Sequence, residues 1–504
     1  MTIQPSRQLQ PFCLLLLFHF FSLGMLAQNP IPAADLQKDV QILKETLEAL
    51  QPALHKYNTP EEMDGHFKQL EERLSVDQDQ ATAYGNISLF TAKVQCGHTY
   101  GNYWNQGPDL RAIFKDKADK VPFTFRIIDK KLILFQNLSE QKELQAGDEI
   151  VGINNHSGAE VIEKLFPYMK SDGANDGQRF FRMQVFGYDN YEAFDIYFPL
   201  AFELGESISL TLKGYETGKE KKTTVQLITR QERYDRLQKR YGKQIESYDD
   251  YWDFEVLNPE VAKLTIGTFV TWKMTLKWRA FLKQAFQTLK DKNIPNLILD
   301  IRGNAGGDSA VQAELYKYLT QKKSHRGPYQ QTLRNNKIPP HLLPYLSTWS
   351  KKIQDVSNRT KPLDNGFYTF KKGGLIDETI SPKAKTYRGK VYLIADASNS
   401  SGTYFLINYL KDNQLATVVG QTSGGNQQGI TGGQILYLTL PHSKVEVDIP
   451  LIGYYPSSPK PNQGIEPNIY IQPSVQALVE GRDLEIEHIM QLIGGAAKPS
   501  SKTD

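Results

Sequence analysis

Apolar residues near the start of the chain recur at helical spacing. Leu36, Val40, Leu43, Leu47 and Leu50 form one stripe, and the helix should end before Pro52. Thr59-Pro60-Glu61-Glu62 supplies a cap, a proline at the first helical position and a capping-box glutamate. Met63, Phe67, Leu70 and Leu74 continue that second helix, and a third runs from about Thr82 to Val94. Three short amphipathic helices need one another to bury their stripes, so this region predicts a small helical domain. From about Leu110 to Thr229 the period changes to that of strands: VPFTFRII, KLILF, EIVGIN, SISLTLKG and TTVQLIT. From Tyr251 onward, strands alternate with helices. The predominantly apolar runs NLILD and VYLIAD read as buried strands, and MTLKWRAFLKQAFQTLKD reads as an amphipathic helix. Residues 321–388 are polar and rich in Pro and Gly, which predicts an insertion or flap over a cleft. EGRDLEIEHIMQLI predicts a last helix, followed by a disordered tail at 491–504.

Composition narrows this picture. The 504 residues allow two or three domains, and the 40% hydrophobic and 23% charged content is that of a soluble globular protein. A net charge of +3 leaves no electrostatic footprint for nucleic acid. Arg7 and the apolar run ending near Ala27 read as an export signal at 1–27, with cleavage expected near Gln28. An exported, periplasmic or extracellular protein follows, with no stable membrane insertion after cleavage; a retained anchor is the alternative. Cys96 is then the single cysteine of the mature chain, so no intrachain disulfide can form. Cys96-Gly97-His98 invites a thiol-protease reading, but no other feature supports it, and a small buried residue fits better. No histidine pair, cysteine pair or Asp-rich loop suggests a metal, and no cofactor is expected.

Chemistry concentrates in three stretches. VYLIADASNSSG, Val391 to Gly402, is a strand, a small-residue turn and a helix start. A serine there meets unpaired N–H groups and the positive end of the helix dipole, which can hold an oxyanion. Ser398, Ser400 and Ser401 could equally be simple caps. NLILDIRGNAGGDSA, Asn296 to Ala310, is a second strand and turn whose paired glycines let a ligand approach the backbone. It lacks the Gly-Lys-Ser/Thr ending of a phosphate loop. GQTSGGNQQGITGG, Gly420 to Gly433, is a Gly-rich loop.

In this order the three stretches resemble the C-terminal processing (tail-specific) serine peptidases. The resemblance leans to the branch of the tricorn core and the interphotoreceptor retinoid-binding repeats. Asp300, Arg302, Asn304, Gly306 and Gly307 match its D-x-R-x-N-x-G-G motif; Thr422 and Gly424 match its Thr-x-Gly segment; and Gly464 to Asn468 match its closing Gly-x-x-Pro motif. Counting five residues on from Asp396 places the family nucleophile at Ser401, with Gly402, Gly306 and Gly307 as oxyanion or substrate donors. The family glutamate position is Tyr404, a departure, and no lysine lies between Lys411 and Lys444 to serve as the base of the lysine-using branch. The tricorn-like branch implies a histidine instead. His98, in Gly-His-Thr, is the first candidate, His442 the second, and Glu466 the acid that orients the base. Each also reads as an ordinary loop residue.

The resemblance implies a mixed α/β fold. Its catalytic domain, at 236–490, would be a crotonase/ClpP-like β-β-α superhelix. An N-terminal helical domain at 28–105 would precede it. Between them, at 106–235, LQAGDEIVGIN resembles the turn segment of PDZ domains, although no clear carboxylate-binding loop accompanies it. The expected activity is exported serine endopeptidase on peptides or protein tails, with an oligomer left open. The rivals are a binding protein on a degenerate peptidase scaffold and, more distantly, an acyl-CoA enzyme.

Overall fold

The computed structural model describes residues 30–189 and 191–494. The expected export signal therefore lies outside the described residues, as does most of the expected tail. The last helix, Leu484–Gly494, runs four residues into the 491–504 segment read as disordered. Ile489 on that helix is buried and anchors it, and the helix ends one residue beyond the EGRDLEIEHIMQLI stretch read as helical.

The three N-terminal helices are Ala33–Leu50, Pro60–Arg73 and Gln80–Lys93. The Thr59–Glu62 capping box forms in both directions, at 3.2 and 2.8 Å. The next region builds its own antiparallel sheet. Its order is Phe123–Ile128, Lys131–Asn137, Glu149–Ile153, Ser207–Lys213 and Glu220–Gln226. Helices Gly158–Leu165, Asp176–Met183 and Ala193–Ala201 pack around it. One continuous apolar core joins this sheet to the N-terminal helices, through residues such as Leu36, Phe67, Phe123, Phe194 and Leu210.

A second core belongs to a six-stranded sheet. Its order is Ile469–Tyr470, Thr417–Gly420, Lys390–Ala395, Asn296–Asp300, Val261–Ile266 and Trp252–Asn258. All neighbours pair in parallel except the last two, which form a hairpin. Hairpin and helix Trp278–Asp291 make a β-β-α unit, and helices Ser309–Leu319 and Gly402–Asp412 follow the two central strands. Asn296–Asp300 is buried at every position, as a strand covered on both faces must be. The fold is mixed α/β.

A third sheet is built on a long hairpin, Ile430–Thr439 and Glu446–Pro456. Residues 321–388 are not a loose flap. Ser324–Thr332, Leu346–Ser347 and Leu375–Ile380 all join this sheet, because the hairpin offers two open edges that polar strands can pair with. Tyr100–Gly101 also pairs with the hairpin, and buried Asp39 on the first helix accepts N–H bonds from His442 and Ser443 at its tip. The hairpin thus fastens the N-terminal region to the parallel sheet.

Arg233 is fully buried, ion-paired to Asp195 and, at 3.0 Å, to Glu192. Arg233→Met would strand two carboxylates in the core. It is expected to cost about 3–5 kcal/mol of stability, read by chemical denaturation.

Candidate active site

The strands Asn296–Asp300 and Lys390–Ala395 are parallel neighbours, and both run into turns at the same edge of the sheet. In open α/β sheets the crevice beyond the carboxyl ends of the strands is where ligands bind. Here the two turns are tied together by side chains. Asn399 donates to the carbonyls of Ile301 and Asn304, at 2.6 and 3.0 Å. The Thr403 hydroxyl donates to Asn304 O at 2.9 Å, and the Gly303 N–H donates to Asp396 at 3.0 Å. Asn304 in turn donates to Ile266 O and accepts the Gly306 N–H.

This lattice fixes Ser401 in a rare conformation, φ +54° and ψ −123°. A non-glycine residue pays for such a backbone only where its surroundings over-determine it, and a sharp strand-to-helix turn is where nucleophilic serines are displayed. Ser401 does not cap its helix, and its hydroxyl has no hydrogen-bond partner among the described residues. Its neighbours differ. Ser398 is buried and bonded to Asp396, and Ser400 is buried and donates to Ala305 O at 3.3 Å.

Gly306, at φ +100°, lies directly against Ser401. A Cβ on Gly306 would stand 2.8 Å from Ser401 Cβ and 2.9 Å from Gly402 N. Since the Gly306 N–H is committed to Asn304, it drops out as an oxyanion donor. The N–H groups of Gly307 and Gly402 have no acceptor among the described residues. Asp300 and Arg302 serve another purpose. Arg302 bridges Asp300 and Asp483, both at 2.7 Å, and reaches Glu485 at 3.4 Å, so the motif clamps the last helix. Gly424 packs on the serine turn, where a Cβ would stand 2.7 Å from Ala397 O and 3.1 Å from Asn399 O. Thr422 is half-buried beside it.

His98 comes from the N-terminal region. Its ring lies against Gly432, about where a side chain there would sit, with atoms 3.5–3.6 Å from the position of a Cβ. Ile430 pairs with Tyr454 and Gly432 with Ile452, so Ile430, Gly432 and Tyr454 share one face of the hairpin. Tyr454 packs on Phe405 of the helix that starts after Ser401, ring centroids 5.8 Å apart. His98 therefore stands on the face of the hairpin that covers the serine helix. No hydrogen bond joins it to Ser401 among the described residues. The ring is half-buried, and its Nδ1 is buried without a partner. Burial holds the imidazole below its ordinary pKa; the Asp172 carboxylate opposes this, and Lys170 and Arg182 reinforce it.

Asp172 was not legible as a site residue. It accepts the Gly97 N–H at 2.9 Å, and its other oxygen is buried without a partner. It lies in a Ser-Asp-Gly turn beyond the middle sheet's first helix, and no spacing links it to His98. Glu466, the expected orienting acid, is not brought to His98. Ile465 is buried and exchanges hydrogen bonds with Ser423, so the next side chain turns outward. Glu466 is exposed and bonded to Gln463. His442 is held at the hairpin tip, 3.6 Å from Asp35 on the first helix. Cys96 is buried and its thiol is pushed up to about 11, chiefly by burial, so it is no ready nucleophile. The described residues hold no cluster of potential metal ligands.

The sequence profile of peptidase family S41 matches residues 260–471, the span that holds both turns and the parallel sheet. Residues 260–471 belong to peptidase family S41. The protein is a serine-type peptidase that acts on peptides or proteins. The S41 domain and the regions before it share a fold with mature CPAF. That structure is 12% identical, with a TM-score of 0.60, and the match covers 92% of this chain and 99% of the other. CPAF complexed with lactacystin gives 13% and 0.59 over the same shares. The photosystem II D1 C-terminal processing protease gives 13% identity and a TM-score of 0.43, covering 92% and 98%. No curated protein sequence matches the chain.

A methyl group on Gly306 would push on Ser401 itself. Gly306→Ala is expected to slow fluorophosphonate labelling of Ser401 and peptide hydrolysis by about 100-fold. Gly65→Ala, with open space around its Cβ position, should leave both unchanged.

Proposed function

We propose that the protein is an exported serine endopeptidase with Ser401 as its nucleophile. The observation that carries this reading is the strained serine turn, where one hydroxyl of three is left free beside two unpaired N–H groups. The Ser401 oxygen would attack the scissile carbonyl and pass its proton to His98. The Gly402 and Gly307 N–H groups would hold the oxyanion. His98 would then protonate the leaving amine, and water would release the acyl group by the reverse proton transfers. Asp172, and not Glu466, is the carboxylate suited to hold His98. The reading requires His98 and Ser401 to close on each other, or to share one water, when substrate fills the cleft.

Export rests on the apolar segment before the described residues, and among those residues no helix is long and apolar enough to cross a membrane. N-terminal sequencing of secreted material should begin close to Gln28; intact Met1 in the membrane fraction would sink this part.

Ser401→Ala should abolish hydrolysis, by roughly 10⁶-fold, while Ser400→Ala should leave it largely intact. His98→Ala should act on the scale of Ser401→Ala. The base must be neutral to work and its pKa is lowered. The acid limb of kcat/KM should therefore lie below pH 6.5, the ordinary histidine value. Asp172→Asn removes the charge that raises this pKa, so it should move the limb lower still. Fluorophosphonate labelling comes first, because it reads the Ser401 nucleophile directly; the second reading is a non-catalytic peptide-binding protein on the same scaffold. Failure of the probe to modify Ser401 would leave that second reading standing.

A further inference from the structure

We propose that the groove between the loop after the first helix and the end of the Glu446–Pro456 strand binds a phosphate group, free or carried by a small organic molecule, at a site separate from the Ser401 cleft.

The groove has a volume of about 590 Å³, within the range of roughly 300–1,000 Å³ typical of small-molecule sites. His55, Lys56, Arg334 and Lys460 line it, and no Asp or Glu is among its described lining residues. These basic side chains come from three stretches far apart in sequence. Like charges brought together repel, and the usual remedy, a carboxylate among them, is missing here. Lys56 is half-buried. Its ammonium donates to Gly429 O at 2.9 Å and lies over the rings of Tyr57 and Tyr455, 4.8 and 4.6 Å from their centroids. One carbonyl and two ring faces replace only part of the water that the charge gives up. Burial accordingly pushes this ammonium down to about 8, against the pull of the Asp172 carboxylate. Arg334 donates from Nε to Glu48 O at 3.3 Å and lies over Phe367, 5.2 Å from the ring centroid. The Glu48 carboxylate itself turns to Lys44, 3.9 Å away. The two terminal nitrogens of Arg334 and the side chains of His55 and Lys460 have no partner among the described residues, and neither do the hydroxyls of Ser457 and Ser458 at the rim. Donors in excess, with no carboxylate, suit a ligand whose charged end only accepts. A phosphate ester carries three accepting oxygens and a charge of about −1.5 to −2 at pH 7, and arginine's planar fork grips two such oxygens at once. Pro52, Leu54 and Phe367 line the same groove and offer an apolar wall to an organic body.

The groove lies across the hairpin from the chemistry. Tyr454 packs on Phe405 of the serine helix. Tyr455 is the next residue of the same strand, so its side chain leaves by the opposite face. There its hydroxyl meets that of Thr431 at 3.1 Å and its ring meets Lys56. Neither Ser401 nor His98 lines the groove, so binding in it does not depend on the peptidase reading.

The test is isothermal titration calorimetry at pH 7 on the mature wild-type protein, with phenyl phosphate, inorganic phosphate and benzoate. Phenyl phosphate should bind, and benzoate, with the same ring but a single charge, should bind about 10-fold more weakly or not at all. Arg334→Gln should weaken phenyl phosphate binding by about 10-fold, and Lys460→Gln, at an exposed position, by about 3-fold. Lys68→Gln, an exposed lysine outside the groove, and Ser401→Ala should leave Kd unchanged. Inorganic phosphate as tight as phenyl phosphate identifies the phosphate alone as the ligand; a gain from the ring identifies an organic ester. No binding of either phosphate, equal affinity for benzoate, or binding indifferent to both groove variants overturns the proposal. Loss of binding in Ser401→Ala would put the ligand in the cleft and overturns it equally. If Arg334→Gln does not fold, Lys460→Gln decides.

Discussion

Everything at the candidate site depends on two asparagines that lock neighbouring turns. Asn399 satisfies the carbonyls of Ile301 and Asn304, and Asn304 satisfies Ile266 and the Gly306 N–H. These groups are buried, so each lost bond would leave a polar atom unpaired, at about 1–3 kcal/mol. The bonds do more than stabilise. They bring Gly306 so close to Ser401 that no side chain fits between them, and they hold Ser401 at a positive φ that an isolated turn would relax. The strain is local, and the parallel pairing of the two strands, in register from Asn296–Lys390 to Asp300–Ile394, is what resists it.

The parts of this arrangement that were legible in sequence are the local ones. Strand, turn and helix start are written consecutively around Ser401 and around Gly306, and a capping box such as Thr59–Glu62 needs only four residues to declare itself. Strand identity survived because LIL and YLIA are apolar throughout, as a strand covered on both faces is. What sequence could not give is pairing across long separations. The polar stretch 321–388 carries no strong period, and it becomes sheet only because the Ile430–Pro456 hairpin presents edges to it. Glu466 was chosen for its place after Gly464, but the side chain's direction is set by Ser423 gripping Ile465. Asp172 was invisible for the converse reason: it meets Gly97 through the packing of two regions that share one core.

The family-matched span ends where the chemistry is still incomplete. Residues 260–471 supply the serine and the N–H groups, but His98 and Asp172 lie before it. They reach the site because the hairpin is grasped from both sides. Asp39 holds its tip, Tyr100–Gly101 extends its sheet, and the face against which His98 lies also covers the serine helix through Tyr454 and Phe405. The base candidate and the nucleophile candidate are thus on different layers, with Gly432 as the thin point between His98 and the hairpin backbone. Gly432, by having no side chain, sets how near the imidazole can come.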